Sequence, residues 1–273
     1  MNQVTDQQII EILRKEAVPA LGCTEPVACA LACAKCKEVL GSVPECLDVL
    51  VSGNIYKNGM GVGIPGTGMV GLPIAAALGA VCGKSEYGLE VLKEVNLGDN
   101  LQRAKDMLGQ VTVSLKEDAP DKLYAEALAT KGNDTVKVII AHTHTNIVLV
   151  EKNGEEIFKR EFRLDTSKPE DKGPELSVKR IWDFVHEVDV KDIEFVLQGA
   201  EMNKAISAEG LNSEYGLQIG KTLKENIDKG LLEDDLLNRT LIRATAASDA
   251  RMDGCPKPVM TNSGSGNQGI TVY

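Results

Sequence analysis

The chain has 273 residues, enough for one large domain or two ordinary ones; 43% hydrophobic residues and 4% aromatics mark a globular protein packed on Ala, Val, Leu and Ile. A formal charge of -10 argues against nucleic acid or an anionic membrane as the main partner. No apolar run approaches the ~20 residues of a membrane span, and residues 1–11 lack a signal pattern, which predicts a cytoplasmic protein.

Residues 5–17 read as a helix with Ile9, Ile10, Ile12, Leu13 and Ala17 on its apolar face. Gly22-Cys23-Thr24-Glu25-Pro26 then opens an Ala-rich helix over 25–40, with Thr24 as the expected N-cap. The Cys23 thiol would lie at the positive end of that helix, where the reactive, metal-binding thiolate is favoured, although the charge of Glu25 opposes it. The seven cysteines, an odd total, point to reduced thiols rather than a disulfide framework. Cys29, Cys33 and Cys36 share one helical stripe, which could hold a metal but is more often small core filler.

A mostly apolar run, Leu47 to Val51, predicts a strand feeding the Gly-rich segment 52–68, which holds six glycines together with Lys57 and Pro65. A small-residue helix over 69–83 leaves it. Strand, polar Gly-rich loop and helix is a common frame for a small-molecule site, because the backbone can approach a ligand closely.

Near residue 100 the pattern changes. A short helix over Asn100–Leu108 is followed by alternating runs at Val111–Leu115, Leu123–Ala129, Val136–Ala141, Ile147–Val150 and Ile157–Phe162. Asp118-Ala119-Pro120-Asp121, Gly132-Asn133-Asp134 and Asn153-Gly154-Glu155 supply the turns. This predicts a small antiparallel sheet carrying the Asn100–Leu108 helix on one face. The charged stretch Asp165–Pro174 closes it, and helices resume from Leu176 through Ile242–Ala250. The fold class is therefore α+β: a mostly helical body, 1–95 and 176–273, interrupted by a small antiparallel α+β insertion, 96–175. His142 and His144 can share one face near a strand end, yet no Asp, Glu or Cys at matching spacing supports a metal site, so an exposed pair is expected.

Ser248-Asp249-Ala250-Arg251-Met252 precedes the last Gly-rich segment, Thr261-Asn262-Ser263-Gly264-Ser265-Gly266-Asn267-Gln268-Gly269. Clustered amides, hydroxyls and N–H groups there can wrap a carboxylate. The dinucleotide-like glycine spacing is met, but neither the preceding strand nor the downstream acid of that fingerprint is evident. The closing apolar run, Ile270 to Tyr273, reads as a chain cut before its fold is complete.

Five ordered motifs carry a resemblance: Gly22–Pro26, Ser52-Gly53-Asn54 through Lys57-Asn58, Ile64-Pro65-Gly66-Thr67, Ser248–Met252 and Thr261–Gly269. Together the chain resembles the L-cysteine desulfidase family, related to the α-domain of bacterial iron–sulfur L-serine dehydratases. The resemblance implies β-elimination without pyridoxal phosphate. L-Cysteine would give pyruvate, ammonia and sulfide, and L-serine pyruvate and ammonia, at a [4Fe–4S] cluster ligated in part by Cys23. It also implies that the other cluster cysteines lie in a C-terminal segment this chain lacks, so the cluster belongs to the complete protein and is absent or incomplete here.

Under this resemblance Lys57 is the candidate catalytic residue, as carboxylate clamp or base. Ser52, Asn54, Asn58 and Thr67 would orient a small amino-acid substrate. Asn262, Ser263, Ser265, Asn267 and Gln268 would build a second wall, with Arg251 as a further carboxylate partner. Alternatives are another iron–sulfur hydro-lyase acting on a small carboxylate, or a non-catalytic amino-acid-binding or interaction protein. Small-residue helices with few aromatics favour a homodimer.

Overall fold

The computed structural model describes residues 4–160 and 176–273. Helix α1 (Asp6–Glu16) begins with a reciprocal cap: the Thr5 hydroxyl accepts from the Gln8 N–H at 3.3 Å, and the Gln8 side chain accepts from the Thr5 N–H at 2.9 Å. Strand β1 (Pro19–Ala20) follows, and Gly22, at φ 80°, turns the chain into α2 (Thr24–Leu40). A side chain at Gly22 would also run into Pro65, so both backbone angle and space demand glycine. Cys23, not Thr24, occupies the N-cap position of α2.

Strand β2 (Cys46–Val51) leads into the Gly-rich segment, which is more ordered than an open loop. Ser52 accepts from the Ile55 N–H and starts a short helix, α3 (Gly53–Gly59). A two-stranded hairpin, β3 (Gly63–Ile64) and β4 (Met69–Val70), then precedes α4 (Leu72–Val81), three residues shorter at its start than the periodicity suggested. Residues 26–34 of α2 are apolar on every side because they are enclosed: α4 packs against the helix, and strands of the sheet cover another face. Cys29, Cys33 and Cys36 are fully buried in this core. Their stripe serves packing, and the Cys36 thiol donates to the Ala127 and Val136 carbonyls.

Helix α5 (Asn100–Met107) packs chiefly on α4, not on the sheet face where it was expected. Five strands follow: β5 (Val111–Leu115), β6 (Tyr124–Lys131), β7 (Asp134–Ala141), β8 (Ile147–Lys152) and β9 (Glu155–Lys159). The six-stranded sheet has the order β5-β2-β6-β7-β8-β9. Strand β2 runs parallel to β5 and antiparallel to β6, so the sheet is mixed and draws a strand from the first part of the chain. Two-residue turns at Gly132-Asn133 and Asn153-Gly154 join β6 to β7 and β8 to β9, as their composition predicts. The expected closing stretch Asp165–Pro174, and the end of the expected strand Ile157–Phe162, lie outside the described residues.

Helices α6 (Val178–Glu187), α7 (Val190–Ile193), α8 (Leu197–Asn212), α9 (Ile219–Asp228) and α10 (Leu236–Met252) form the second helical part. Strand β10 (Val259–Met260) and helix α11 (Gly266–Val272) complete the described chain. Strand β10 pairs antiparallel with β1, and both the N–H and the hydroxyl of Thr261 donate to the Val18 carbonyl, at 2.9 and 2.8 Å. Asn203 on α8 clamps β10 from the other side, accepting from the Met260 N–H and donating to the Met260 carbonyl. The architecture is α+β, as composition and periodicity predict. No helix among the described residues is long and apolar enough to cross a membrane.

Candidate active site

The pairing of β1 with β10 decides where the chemistry can sit. It sets Cys23, three residues beyond β1, beside the Ser- and Gly-rich turn that follows β10. A cavity of about 420 Å³ opens between them, within the range of about 300–1,000 Å³ usual for small-ligand sites. The start of α2 contributes Cys23, Thr24 and Glu25 to its walls; α3 contributes Asn58. The turn between β7 and β8 contributes His144, the end of α10 contributes Arg251 and Met252, and residues 263–267 close the ring. A larger groove of about 880 Å³, with Phe195 and Lys257 among its walls, carries no thiol or histidine.

Glu25 organises the α2 side. One carboxylate oxygen accepts from the Cys23 thiol at 2.8 Å and from the Thr24 hydroxyl at 3.3 Å; the other accepts from the Asn58 amide at 3.1 Å. Burial favours protonation of Glu25, but these hydrogen bonds and the nearby His144 outweigh it and hold the carboxyl below its usual range. Burial first, then the charge of Glu25, push the Cys23 thiol up to about 12, while Arg251 acts in the opposite sense. Cys23 is therefore a protonated thiol at neutral pH, and not the thiolate that the helix terminus alone suggested. A metal ion binding this sulfur would have to displace the proton.

Arg251, at the end of α10, lines the cavity close to Cys23. It is 4% exposed, and one terminal nitrogen donates to the Asn267 side-chain oxygen at 2.9 Å. Its Nε is buried without a hydrogen-bond partner. Burial lowers its proton affinity while Cys23 and Glu25 raise it, and a guanidinium retains its charge in either case. Gly266 lies directly against it: a Cβ there would overlap the guanidinium carbon and Nε. An incompletely satisfied, buried cation beside a cradle of glycine, serine and asparagine is suited to an anion such as a carboxylate.

Of the residues nominated from sequence, Cys23, Asn58, Arg251, Ser263, Ser265 and Asn267 line this cavity. Ser52, Asn54, Lys57, Thr67, Asn262 and Gln268 are not among its lining. Ser52 caps α3 and donates to the Lys122 carbonyl at 2.7 Å, and Thr67 is buried, donating to the Ile64 carbonyl at 2.7 Å. Asn54 and Lys57 lie exposed on α3, Gln268 is exposed on α11, and Asn262 accepts from the Ser263 hydroxyl at 2.8 Å. Glu25 and His144 are among the lining residues that were not nominated as site members. Glu25 was read as a first-turn acid of α2 whose charge opposes the Cys23 thiolate, and the structure bears that effect out. His144 was expected to be one of an exposed pair, whereas His142 alone is exposed, contacting Asp121 at 2.6 Å, and His144 is half-buried in the cavity wall. Strand alternation fixes which face of a sheet a residue takes; it does not say where a turn tip lands in three dimensions.

An iron–sulfur cluster needs three or four thiolate ligands. Cys23 is the one thiol lining the cavity, and no group of three or more His, Cys, Asp or Glu side chains among the described residues is arranged to hold a metal. The described residues therefore do not fit a complete cluster.

The chain is 48% identical over 268 residues to the "UPF0597 protein" of Actinobacillus pleuropneumoniae serotype 3 (strain JL03), covering 97% of this chain and 62% of that protein. It is 49% identical over 270 residues to the "UPF0597 protein" of Dichelobacter nodosus, covering 98% and 62%. With the "UPF0597 protein" of Parabacteroides distasonis it shares 46% over 276 residues, covering 99% and 63%. The chain thus spans a little over three fifths of the length of these relatives. No solved structure matches it. The profile described as serine dehydratase alpha chain matches residues 86–273, well over half of the sequence, and the chain belongs to that family.

Proposed function

We propose that the protein, at the full length of its relatives, is a lyase that eliminates the β-substituent of a small L-amino acid without pyridoxal phosphate. L-Cysteine would yield pyruvate, ammonia and sulfide; L-serine would yield pyruvate and ammonia. The observation that carries this reading is the pairing of opposite charges in one small cavity: buried, under-bonded Arg251 on one wall and ionised Glu25 on another. Arg251 suits the carboxylate of a zwitterion, with Ser263 and Ser265 as neighbouring hydroxyl donors. Glu25 and Asn58 suit the ammonium end, and Cys23 beside them suits the soft-metal chemistry that a sulfur leaving group favours. The complete protein is proposed to carry a [4Fe–4S] cluster with Cys23 as one ligand and the others from outside this chain.

Anaerobic reconstitution of the full-length protein with iron and sulfide, followed by pyruvate assays on L-cysteine and L-serine, tests the reading. The expected outcome is sulfide-to-iron charge-transfer absorbance and pyruvate from at least one substrate, both lost in Cys23→Ala. Absence of both in the wild type would favour amino-acid binding without catalysis. Unchanged turnover in Cys23→Ala would refute the ligand role.

A further inference from the structure

We propose that the face of the sheet turned away from α2 carries a second binding site, for a small apolar carboxylate. Occupancy of this site weakens amino-acid binding in the cavity beside Cys23; this regulatory half rests on the amino-acid reading above.

Two irregularities in the sheet build the site. Ile139 pairs with Leu149 but Ile140 with Ile147, so Val148 is an extra residue in β8. Val150 pairs with Phe158 but Glu151 with Glu156, so Ile157 is likewise extra in β9. A bulge bends its strand and interrupts the alternation of faces. Ile147 and Val150 thus pack toward the main core, which includes α2, while Val148 and Leu149 between them both line a cavity of about 310 Å³ on the other side. Tyr124 and Ile139, from the two preceding strands, supply the rest of its apolar wall. The Tyr124 hydroxyl is already engaged, donating to Glu126 at 2.6 Å.

Charge is confined to one edge of this cavity, where Glu156, Lys159 and Arg160 meet. Lys159 pairs with Glu156 at 2.6 Å, which leaves Arg160 as the uncompensated cation. The Arg160 N–H donates to the Val148 carbonyl at 2.8 Å, so the bulge itself holds this residue in place. One terminal guanidinium nitrogen donates to the Asn146 side-chain oxygen at 2.8 Å, and the other guanidinium N–H groups have no hydrogen-bond partner among the described residues. An apolar cavity with a single available guanidinium at its edge fits a short branched aliphatic acid. The hydrocarbon fills the cavity, and the carboxylate takes two parallel hydrogen bonds from Arg160.

Asn146 connects this site to the first cavity. It belongs to the turn joining β7 to β8, where its side chain donates to the Ala141 carbonyl at 2.9 Å and its N–H to the Thr143 carbonyl at 3.1 Å. The same turn places His144 in the wall of the cavity beside Cys23. In one state Arg160 bonds Asn146 and the turn is held; in the other Arg160 bonds the carboxylate and the turn is released. Ligand and Asn146 compete for one donor, so the acid favours the released state and an amino acid that uses the held wall favours the other. By linkage each weakens the other's binding by the same factor.

Isocaproate, and isocaproamide as its uncharged counterpart of the same shape, are titrated by calorimetry into the cluster-loaded, full-length protein. Wild type should bind the acid at least about tenfold more tightly than the amide, and Arg160→Gln should lose that preference. Saturating isocaproate should weaken L-serine binding by about fivefold or more, and saturating L-serine should weaken isocaproate binding by the same factor. Asn146→Ala removes the competitor and cuts the tie, so it should bind isocaproate at least as tightly as wild type and show no coupling. Arg251→Met should still bind isocaproate. Four results overturn the proposal: no isocaproate binding by wild type, unchanged binding in Arg160→Gln, binding lost in Arg251→Met (which puts the acid in the first cavity), or L-serine affinity indifferent to the acid. A wild type that binds neither L-serine nor L-cysteine overturns the amino-acid reading and the coupling with it. Isocaproate binding that depends on Arg160 would support the second site even then.

Discussion

Arg251 behaves as a functional residue would, because its position opposes stability. A buried donor without a partner carries a penalty of about 1–3 kcal/mol, and the Nε of Arg251 is such a donor. Replacement by a similar apolar volume, Arg251→Met, should therefore leave the urea midpoint unchanged or raise it, while amino-acid binding is abolished. A loss of more than ~2 kcal/mol on chemical denaturation would assign the residue to structure instead. Gly266 makes the complementary prediction. Because a Cβ there would displace the guanidinium, Gly266→Ala should weaken L-serine binding at least tenfold by calorimetry while the far-ultraviolet dichroism stays native. Cys23 and Arg251 were legible in the sequence because each ends or begins an Ala-rich helix next to small, polar residues. Their partners Glu25 and His144 were not, since a carboxylate in a helix's first turn and a histidine in a turn look the same whether they face solvent or a cavity.

The elements themselves were largely readable from period and punctuation. Alternation marked β5 to β9, and the Gly-Asn and Asn-Gly turns marked their connections. The Gly-rich segment after Val51 was not readable as a helix, because Gly53 and Gly59 at its ends disfavour one by roughly 1 kcal/mol each. Docking supplies the difference: Ser52 caps α3, and Ile55 is buried in the main core. Helices α2 and α4 depend on another use of glycine. A Cβ at Gly79 would overlap the backbone of Ala30, so the two helices meet with no side chain between them. Gly79→Val should destabilise the protein by about 1–3 kcal/mol or more, measured as a lower urea midpoint. An unchanged midpoint would mean that the helices can separate without loss. The scarcity of aromatics noted from composition is explained by this close packing of Ala, Cys and Gly.

At the scale of the whole molecule, the buried thiols make stability depend on pH. Burial foremost pushes the thiols of Cys23, Cys29 and Cys36 up to about 12, against about 8.5 for an exposed cysteine. Above about pH 8.5 the unfolded chain releases protons that the folded chain retains. The stabilisation is thus full below that pH and declines as pH rises, by up to ~1.4 kcal/mol per pH unit for each thiol. Urea midpoints measured from pH 7.5 to about 10.5 should be flat at first and then fall, and Cys29→Ala should show a shallower fall. A slope unaltered by that substitution would place the alkaline sensitivity elsewhere.

Local chemistry along the chain was enough to determine the α+β class and the positions of most helices and strands, and to single out Cys23 and the turn after Thr261 as candidate site members. These properties follow from periodicity, turn residues and helix ends, all of which act within a few residues of one another. Only the tertiary structure decided which groups meet. The short β1–β10 pairing joins residues some 240 positions apart and brings Cys23 to Arg251 and the 263–267 turn, while the sheet carries His144 to the same cavity. No local signal encodes such a meeting, because it is fixed by the summed packing of helices and sheet and not by any one segment's own preference.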